Sequence, residues 1–553
     1  MIKKLIILVI LLSVSVSAFA ETVDTAWVKR YNGPGSARDA VFAIAIDSSG
    51  NIYVTGMSRG SIETYEDYAT IKYYPNGDTA WVRRYDGSIQ SYDWAWAIAV
   101  DDSENVYVTG ESRGIGSSDD FLTIKYYPNG DTGWVRRYNG PGNDNDEARA
   151  IAIYGFGNIY VSGNSTGSGT GYDCATIKYY PNGDTAWVRR YNESGNFPDY
   201  VKAMTVDCSG CVYLTGGSYN SVNDWGYVTI KYYPNGDTAW VRRYDGSVKG
   251  TDFAFDIAVD CSSNVYITGY SWDSTTLDDY TTIKYYPNGD TAWVRKSSAS
   301  GWDEAYAIAI DDSGNIYVTG YSLGFGTSFD YATIKYYPNG DTAWVRRYNG
   351  PGNDEDAAHD IAVDKSGNVY VTGWSRSGSS DTTSDYATIK YYPNGDIAWI
   401  TRYNGPANSG DGATALMVDD SSNIYVTGST VGIGTGPDYT TIKYIQTPGE
   451  VKDETGNREK PSEFILSQNY PNPFNQSSKI EFTLSNPGVA SLNIYDLLGR
   501  RIRTLVSENL SSGYKSVVWD GKDNSGKEVA SGVYFYQLKV GDFLEGKKLV
   551  LLK

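Results

Sequence analysis

Residues 97–138 read AIAVDDSENVYVTGESRGIGSSDDFLTIKYYPNGDTGWVRRY. Four short runs alternate apolar and polar residues with the period of a strand: Ala97 to Val100, Asn105 to Thr109, Thr123 to Tyr127 and Gly133 to Tyr138. Turn chemistry separates them. An Asp-x-Ser-x-Asn turn joins the first two, and Pro128-Asn-Gly-Asp131 joins the last two, where Asn-Gly tolerates the positive φ of a tight hairpin. The stretch therefore predicts four antiparallel strands in about forty residues, a unit too small to bury its own faces.

The unit recurs almost verbatim. Its Val-Thr-Gly motif, with Ser162, Leu214 and Ile267 as variants, ends at Gly56, Gly110, Gly163, Gly216, Gly269, Gly320, Gly373 and Gly428, spaced 51 to 55 residues apart. Four-stranded repeats of this length make a β-propeller or a solenoid. The chain ends separate the two. A Trp-strand at Ala26 to Tyr31 precedes every other repeat element, whereas the last unit stops at Tyr444 with no Trp-strand after it. The orphan strand at the start completes the last unit if the array closes, and closure removes the terminal surfaces an open array must cap. The expected fold is all-β: an eight-bladed β-propeller over 21–446, closed by an N-terminal outer strand.

Chain continuity places Ala-Ile-Ala-Val innermost, where space near the axis is tightest, and Ala-Trp-Val-Arg-Arg-Tyr outermost, where the arginines are expected to discourage strand addition. One Trp per unit, at Trp27, Trp81, Trp134, Trp187, Trp240, Trp293, Trp344 and Trp399, is expected to wedge between neighbours.

The units resemble the bacterial β-propeller repeat family of the SBBP type, through Asp47-Ser-Ser-Gly50-Asn51-Ile-Tyr53-Val54-Thr55-Gly56 and Asp311-Asp-Ser-Gly314-Asn315-Ile-Tyr317-Val318-Thr319-Gly320. The resemblance covers 24–446 and implies a fold, not an activity. The family name speaks of seven blades, and this chain counts eight. Gly77-Asp78-Thr79-Ala80-Trp81 is also similar to the outer-strand turn of quinoprotein dehydrogenases, but those use adjacent cysteines and no two cysteines are adjacent here, so that likeness is read as shared packing.

Composition narrows the chemistry. A single histidine, His359, rules out a multi-His metal site and leaves any Ser-His-Asp machinery one residue to run through. With 31 basic and 53 acidic residues in 21–448, the repeat region opposes binding along a phosphate backbone, so nucleic acid is not an expected partner. Neither cofactor nor catalytic group is expected.

In a propeller, the loops between blades and between strands two and three share one face. An aspartate recurs there in every unit: Asp39, Asp93, Asp146, Asp199, Asp252, Asp303, Asp356 and Asp411. One reading is a carboxylate ring at the channel mouth that binds Ca²⁺; the other is that each aspartate accepts backbone N–H bonds in its turn. A second series precedes strand three, at Asp67, Asp120, Asp173, Asp279, Asp330, Asp385 and Asp438, and Gly226 breaks it. Cys208 and Cys211 form C-x-x-C in one turn, and Cys261 occupies the matching turn of the next unit. Export favours oxidation, so a Cys208–Cys211 or Cys208–Cys261 disulfide stands beside free thiols. His359 occupies a position held elsewhere by Phe42, Trp96, Arg149, Lys202, Phe255, Tyr306 and Thr414, a variability that suits a tolerant channel mouth.

The ends of the chain carry an address. Residues 1–20 read as a signal peptide, with Lys3 and Lys4, the apolar run Leu5 to Leu12, and an Ala18-Phe19-Ala20 site cleaved before Glu21. No stretch is long and apolar enough for a transmembrane span. Residues 447–463 are polar and charged, as in a linker, and 464–553 hold about seven short strands, as in an Ig-like sandwich. Asn469-Tyr-Pro471-Asn-Pro473-Phe474, Val518-Trp519-Asp520-Gly521 and the final Lys548-Leu-Val-Leu-Leu-Lys553 resemble the C-terminal sorting domain of type IX secretion substrates, and also flagellar hook-capping Ig-like domains. The resemblance implies that 464–553 engages a secretion machinery and that the protein reaches the outside of the cell or its surface. The expected function is a non-enzymatic binding or adhesion scaffold for an extracellular protein or glycan. An extracellular polysaccharide hydrolase or lyase and a structural surface-layer component are the alternatives.

Overall fold

The computed structural model describes residues 21–60, 65–87, 90–155, 157–193, 196–220, 224–246, 249–298, 301–324, 326–378, 383–447, 464–466, 469, 474, 477–511, 513–541 and 543–552. The signal reading at 1–20, including Ala20, and all of the linker but Thr447 lie outside them. Among the described residues the regular structure is all β-strand, and no helix is long and apolar enough to cross a membrane. The chain divides into two compact units, Val23–Gln446 and, together, Met1–Thr22 with Thr447–Lys553.

The first strand, β1, runs Thr22–Tyr31. It is followed by β2 (Asp39–Ile46), β3 (Ile52–Arg59), β4 (Glu66–Tyr73) and β5 (Thr79–Tyr85), which form one sheet in chain order. Six more four-stranded sheets repeat that order along the chain. An eighth contains Gly412–Val418, Ile424–Val431 and Pro437–Thr447, and its outer strand is β1. The first strands of successive sheets touch, and the first strand of the eighth sheet touches β2.

The core sits between sheets, because each sheet presents an apolar side to each neighbour. Tyr53, Tyr68 and Trp81 of the first sheet pack on Val106, Val108, Ile124 and Tyr126 of the second. The repeat tryptophans fill this seam as expected. Trp81 lies 6.1 Å from Tyr53 and 5.9 Å from Tyr126, and its indole N–H donates to the Pro128 carbonyl at 3.0 Å. Burying such a ring contributes at most about 4 to 6 kcal/mol. The hairpin glycine opposite is required twice over: Gly130 has φ +85°, and a Cβ there would stand 2.9 Å from Trp81.

The same contacts join the eighth sheet to the first. The Tyr439 hydroxyl donates to the Ala69 carbonyl at 3.2 Å, as Tyr68 donates to Leu122, and the Trp27 indole donates to Pro75 at 3.1 Å.

The outer-strand arginines do more than guard an edge. Arg83 stacks over Trp81 and donates from Nε to the Gly130 carbonyl of the next sheet at 2.6 Å. Arg84 reaches back along its own sheet to Ser58 and to Asp67, 2.6 Å away. The second aspartate series is therefore mostly an ion-paired one, with Arg137–Asp120, Arg190–Asp173, Arg347–Asp330, Arg402–Asp385 and Arg30–Asp438. Where Gly226 breaks the series, Arg243 pairs with Glu193 and Asp245 instead.

In the second unit a three-stranded sheet (Ile465–Leu466, Ser478–Leu484, Gly513–Trp519) and a four-stranded sheet (Arg501–Leu510, Gly488–Tyr495, Gly532–Val540, Phe543–Leu551) share one core. Its centre is the fully buried Trp519, with Phe474 at 5.6 Å and Tyr534 at 5.3 Å.

Candidate functional site

Near-identical repeats hide function where they agree and expose it where they differ. In all eight sheets the pairing of the first two strands slips by one residue, leaving a bulged residue with no partner: Phe42, Trp96, Arg149, Lys202, Phe255, Tyr306, His359 and Thr414. A bulge re-aims a side chain that regular alternation would bury. It also explains the glycine that ends every Val-Thr-Gly motif. A Cβ on Gly110 would stand 1.9 Å from the Trp94 carbonyl oxygen and 2.7 Å from the Tyr68 hydroxyl, so the bulge needs bare backbone opposite it.

Two further variable positions face each other across the strands beside each bulge, as Trp94 faces Glu111, Glu147 faces Asn164 and Phe253 faces Tyr270. Each sheet thus brings three non-repeating residues to the start of its first strand, and contacts run from sheet to sheet. Phe42 stacks on Trp96 at 4.4 Å, and the Arg149 guanidinium lies 4.3 Å over Trp96. Lys202 lies 5.6 Å from the Phe253 ring. Phe255 meets Tyr306 at 5.1 Å, and Tyr306 meets His359 at 5.9 Å. The Thr414 hydroxyl donates to the Val41 carbonyl at 3.0 Å, from the eighth sheet to the first. Where Tyr200 faces Gly217, the missing side chain makes room: a Cβ on Gly217 would lie 2.2 Å from the Phe253 ring.

The polar members are unlike one another. Burial pushes the Glu111 carboxyl up to about 7, with Glu147 and Asp119 adding to the rise and Arg149 opposing it. Glu147 is bonded to Arg149, and Tyr172 and Asn164 both donate to it at 3.4 Å. Burial lowers His359, which keeps its imidazole neutral near neutral pH. In two sheets the residue after the bulge is an aspartate where the other six carry alanine. Asp256 accepts the N–H groups of Ile257 at 2.8 Å and of Ile308 in the next sheet at 2.9 Å. Asp360 accepts those of Ile361 at 2.8 Å and of Leu416 at 2.7 Å. Burial raises Asp256 to about 6 and Asp360 to about 7, and their mutual repulsion adds to the rise in Asp360.

Comparison with known proteins agrees with this architecture. The Beta-propeller repeat family matches residues 27–63, 293–326 and 343–378. The chain carries β-propeller repeats. The FlgD Ig-like domain family matches 469–542, which makes the C-terminal module an FlgD-type Ig-like domain. A WD repeat-containing protein of Acanthamoeba polyphaga mimivirus, itself uncharacterised, is 23% identical over 53% of this chain, which spans 24% of that protein's length. Among solved structures, PorZ is described as a surface component of the type-IX secretion system of Porphyromonas gingivalis. It is 14% identical with a TM-score of 0.36, covering 93% of this chain and 66% of its own. Drosophila Plexin A in complex with Semaphorin 1b is 8% identical with a TM-score of 0.37, covering 77% and 87%.

Within the propeller repeats, the eight recurring aspartates do not form a ring of facing carboxylates. Each is buried at the start of its sheet, and for all but Asp252, whose two carboxylate oxygens are buried without a hydrogen bond of good geometry, a backbone N–H of an adjoining turn or strand donates to it. Asp39 accepts the N–H of Gly33 at 2.6 Å and of Arg59 at 3.0 Å; Asp146 accepts Gly140 at 2.5 Å and Thr166 at 3.1 Å; Asp356 accepts Gly350 and Arg376. Gly87, Glu193, Leu323 and Gly405 donate in the same way to Asp93, Asp199, Asp303 and Asp411. Asp252, raised to about 7 by burial, is eased by Ser271. On six of them a carboxylate of the second series in the preceding sheet bears, as Asp438 does on Asp39 and Asp120 on Asp146, whereas Asp224 and Asp245 bear on Asp252. Of the two readings of this series, the hydrogen bonds favour separate turn acceptors over a cation ring. Asp67, Asp86 and Asp93 come within 4.8 Å of one another, and Arg84 already holds Asp67.

Of the two readings of the cysteines, the structure has the free thiols rather than a Cys208–Cys211 or Cys208–Cys261 disulfide. All four thiols are free. Cys211 is buried among Tyr213, Tyr227 and Trp240, whereas Cys208 and Cys261 are exposed on their turns, so the C-x-x-C pair points to different surroundings. Cys174 is buried too, in the seam position where the first sheet has Tyr68.

Proposed function

We propose that this chain is a binding scaffold of the cell exterior: an eight-bladed propeller, closed by β1 as the outer strand of the last blade, whose ligand sits on the axial face that gathers the bulged residues. The observation that carries the reading is the segregation of its side chains. Apart from one tyrosine that repeats on the exposed hairpin turn, as at Tyr233, the aromatic residues that repeat are packed between sheets, whereas those that do not repeat collect around the bulges with Arg149, Lys202 and Glu147 among them. Packing alone would have kept these positions as uniform as the rest. Aromatic anchors with a few placed polar groups are the make-up of a recognition surface. The seam contacts of Tyr439, Trp27 and Thr414 support the closed ring.

Export by a signal peptide at 1–20, and sorting to the surface through 464–553, complete the proposal and rest on the sequence patterns there. Deleting 464–553 is expected to keep the propeller from reaching the exterior; unchanged appearance outside the cell would remove sorting from the reading.

A polysaccharide hydrolase or lyase working at the same face is the second reading. Asp256 and Asp360 favour it, as two raised carboxyls on the axial strands of nearby sheets. Binding is preferred because each of these carboxylates is already engaged by two backbone N–H groups, which leaves it poorly placed to trade a proton with a substrate. A panel of immobilised glycans and extracellular proteins tests the assignment. Saturable binding that falls in Trp96→Ala and Phe255→Ala supports the axial face, binding indifferent to both removes it, and release of new reducing ends would favour the enzyme.

A further inference from the structure

The aromatic residues on the axial face are not spread evenly. At the seam of the first two sheets they line up from the surface inward: Tyr65 to Tyr92 at 4.7 Å, Tyr92 to Trp94 at 5.9 Å, Trp94 to Trp96 at 5.8 Å, and Trp96 to Phe42 at 4.4 Å. Tyr65 and Tyr92 are 42% and 47% exposed, and Trp94 and Trp96 are half-buried, so the line opens to solvent at one end. Arg149 closes the other end, over the Trp96 face. None of these ring positions is held by the same residue in the neighbouring repeats, which distinguishes them from the seam tryptophans.

The polar groups beside this line set the chemistry of what fits it. Trp94 and Glu111 face across paired strands; Trp94 Nε1, Trp96 Nε1 and Glu111 Oε2 are shut from water without a hydrogen bond of good geometry, and the Trp96 indole is the donor that bears on Glu111. The indoles are donors, and the carboxyl, raised to about 7 by burial, accepts when ionised and can also donate when protonated. A buried polar atom left unpaired costs on the order of 1 to 3 kcal/mol, so the cluster holds hydrogen-bonding capacity that a ligand satisfies when the part-exposed Trp94 and Trp96 rings shift to admit it. A hydroxyl, which donates and accepts at once, matches both groups. The charges nearby disfavour an anion. Glu147 and Asp119 bear on Glu111, Arg149 is already bonded to Glu147, Arg113 bears on Asp119, and the repeat region carries 53 acidic residues against 31 basic.

We propose that the line Tyr92–Trp94–Trp96–Phe42 is the subsite for a neutral glycan chain, which stacks its C–H faces on the rings and hands hydroxyls to Glu111, Trp94 and the Arg149–Glu147 pair. The inference rests on the axial binding face and names its ligand class and location.

The test uses the mature full-length chain, titrated with neutral hexasaccharides of glucose, xylose and mannose and with hexagalacturonate, read by calorimetry and by tryptophan fluorescence. At least one neutral hexasaccharide is expected to bind and shift the emission, with hexagalacturonate at least tenfold weaker. Tyr92→Ala, at an exposed ring, and Trp96→Ala should each weaken binding at least tenfold with the melting temperature of Tyr92→Ala unchanged, whereas Tyr233→Ala, on an exposed hairpin turn, should bind like the parent. Failure of all neutral hexasaccharides at millimolar concentration, or tighter binding of the uronate, overturns the proposal. A ligand whose binding is lost in Phe255→Ala but kept in Tyr92→Ala and Trp96→Ala also overturns it, yet leaves the axial face standing; a ligand insensitive to every one of these changes removes the axial face itself.

Discussion

Replacing Asp39 by alanine separates a structural aspartate from a metal ligand. The carboxylate is fully buried and takes the Gly33 N–H at 2.6 Å and the Arg59 N–H at 3.0 Å, with the Ser58 hydroxyl as a further donor. Alanine leaves both N–H groups in a turn too tight to rehydrate fully, at about 1 to 3 kcal/mol each, so the loss is about 2 to 6 kcal/mol. At roughly 2 cal/mol/K of unfolding entropy per residue, a propeller of this size should melt about 2 to 7 °C lower. Asp39→Asn keeps one acceptor oxygen and should fall about midway. Calorimetric melting of the parent and both variants, with and without EDTA, is the assay. A parent that loses as much stability in EDTA as it does in Asp39→Ala would refute the turn role and restore a cation; so would an Asp39→Ala variant that melts with the parent.

Other consequences follow from the same geometry. The raised carboxyls reverse the usual acid sensitivity: Glu111, Asp252 and Asp360 near 7 and Asp93, Asp146, Asp199 and Asp256 near 6 hold protons in the folded state that the unfolded chain releases near pH 4. The folded state binds more protons between those values, so stability should fall as pH rises from about 4 to 7; equal urea midpoints at pH 5 and pH 8 would contradict it, and Asp360→Ala should flatten the slope. Tyr439→Phe removes the hydroxyl bridging the eighth and first sheets, while Ala69 keeps its bond from Thr55, so the loss should be about 1 kcal/mol and match that of Tyr68→Phe at an ordinary seam. Thiol alkylation of the native chain should label Cys208 and Cys261 quickly and leave Cys174 and Cys211 until unfolding, read by intact mass; mass loss of two protons without reductant would show a disulfide instead.

Much of the fold is legible in one unit. Alternation, the Asp-x-Ser-x-Asn turn and the Asn-Gly hairpin are local, and they place four strands in order before any tertiary contact is known. The early Trp-strand at Ala26 to Tyr31 and the missing one after Tyr444 anticipate the pairing of β1 with the last sheet. The site is less legible. His359 and its counterparts vary visibly, and Asp256 and Asp360 interrupt an alanine column, so aligning the repeats and reading only the differences would have found them. The aspartate series misleads because a turn acceptor and a metal ligand leave the same periodic mark.

The sequence by itself determined the repeat period, the strand order within a sheet and the residues that wedge between sheets, since each depends on neighbours close along the chain or on one copy touching the next. Only the tertiary structure decided what the polar and variable residues do. The bulge that turns Phe42, Trp96 and Arg149 toward one another is a slip of pairing between two strands, invisible to alternation along either. Whether a carboxylate meets a backbone N–H, an arginine or another carboxylate depends on distances of a few ångströms between residues from 6 to 52 positions apart in sequence, as with Gly33 and Asp39, Arg84 and Asp67 or Asp256 and Ile308.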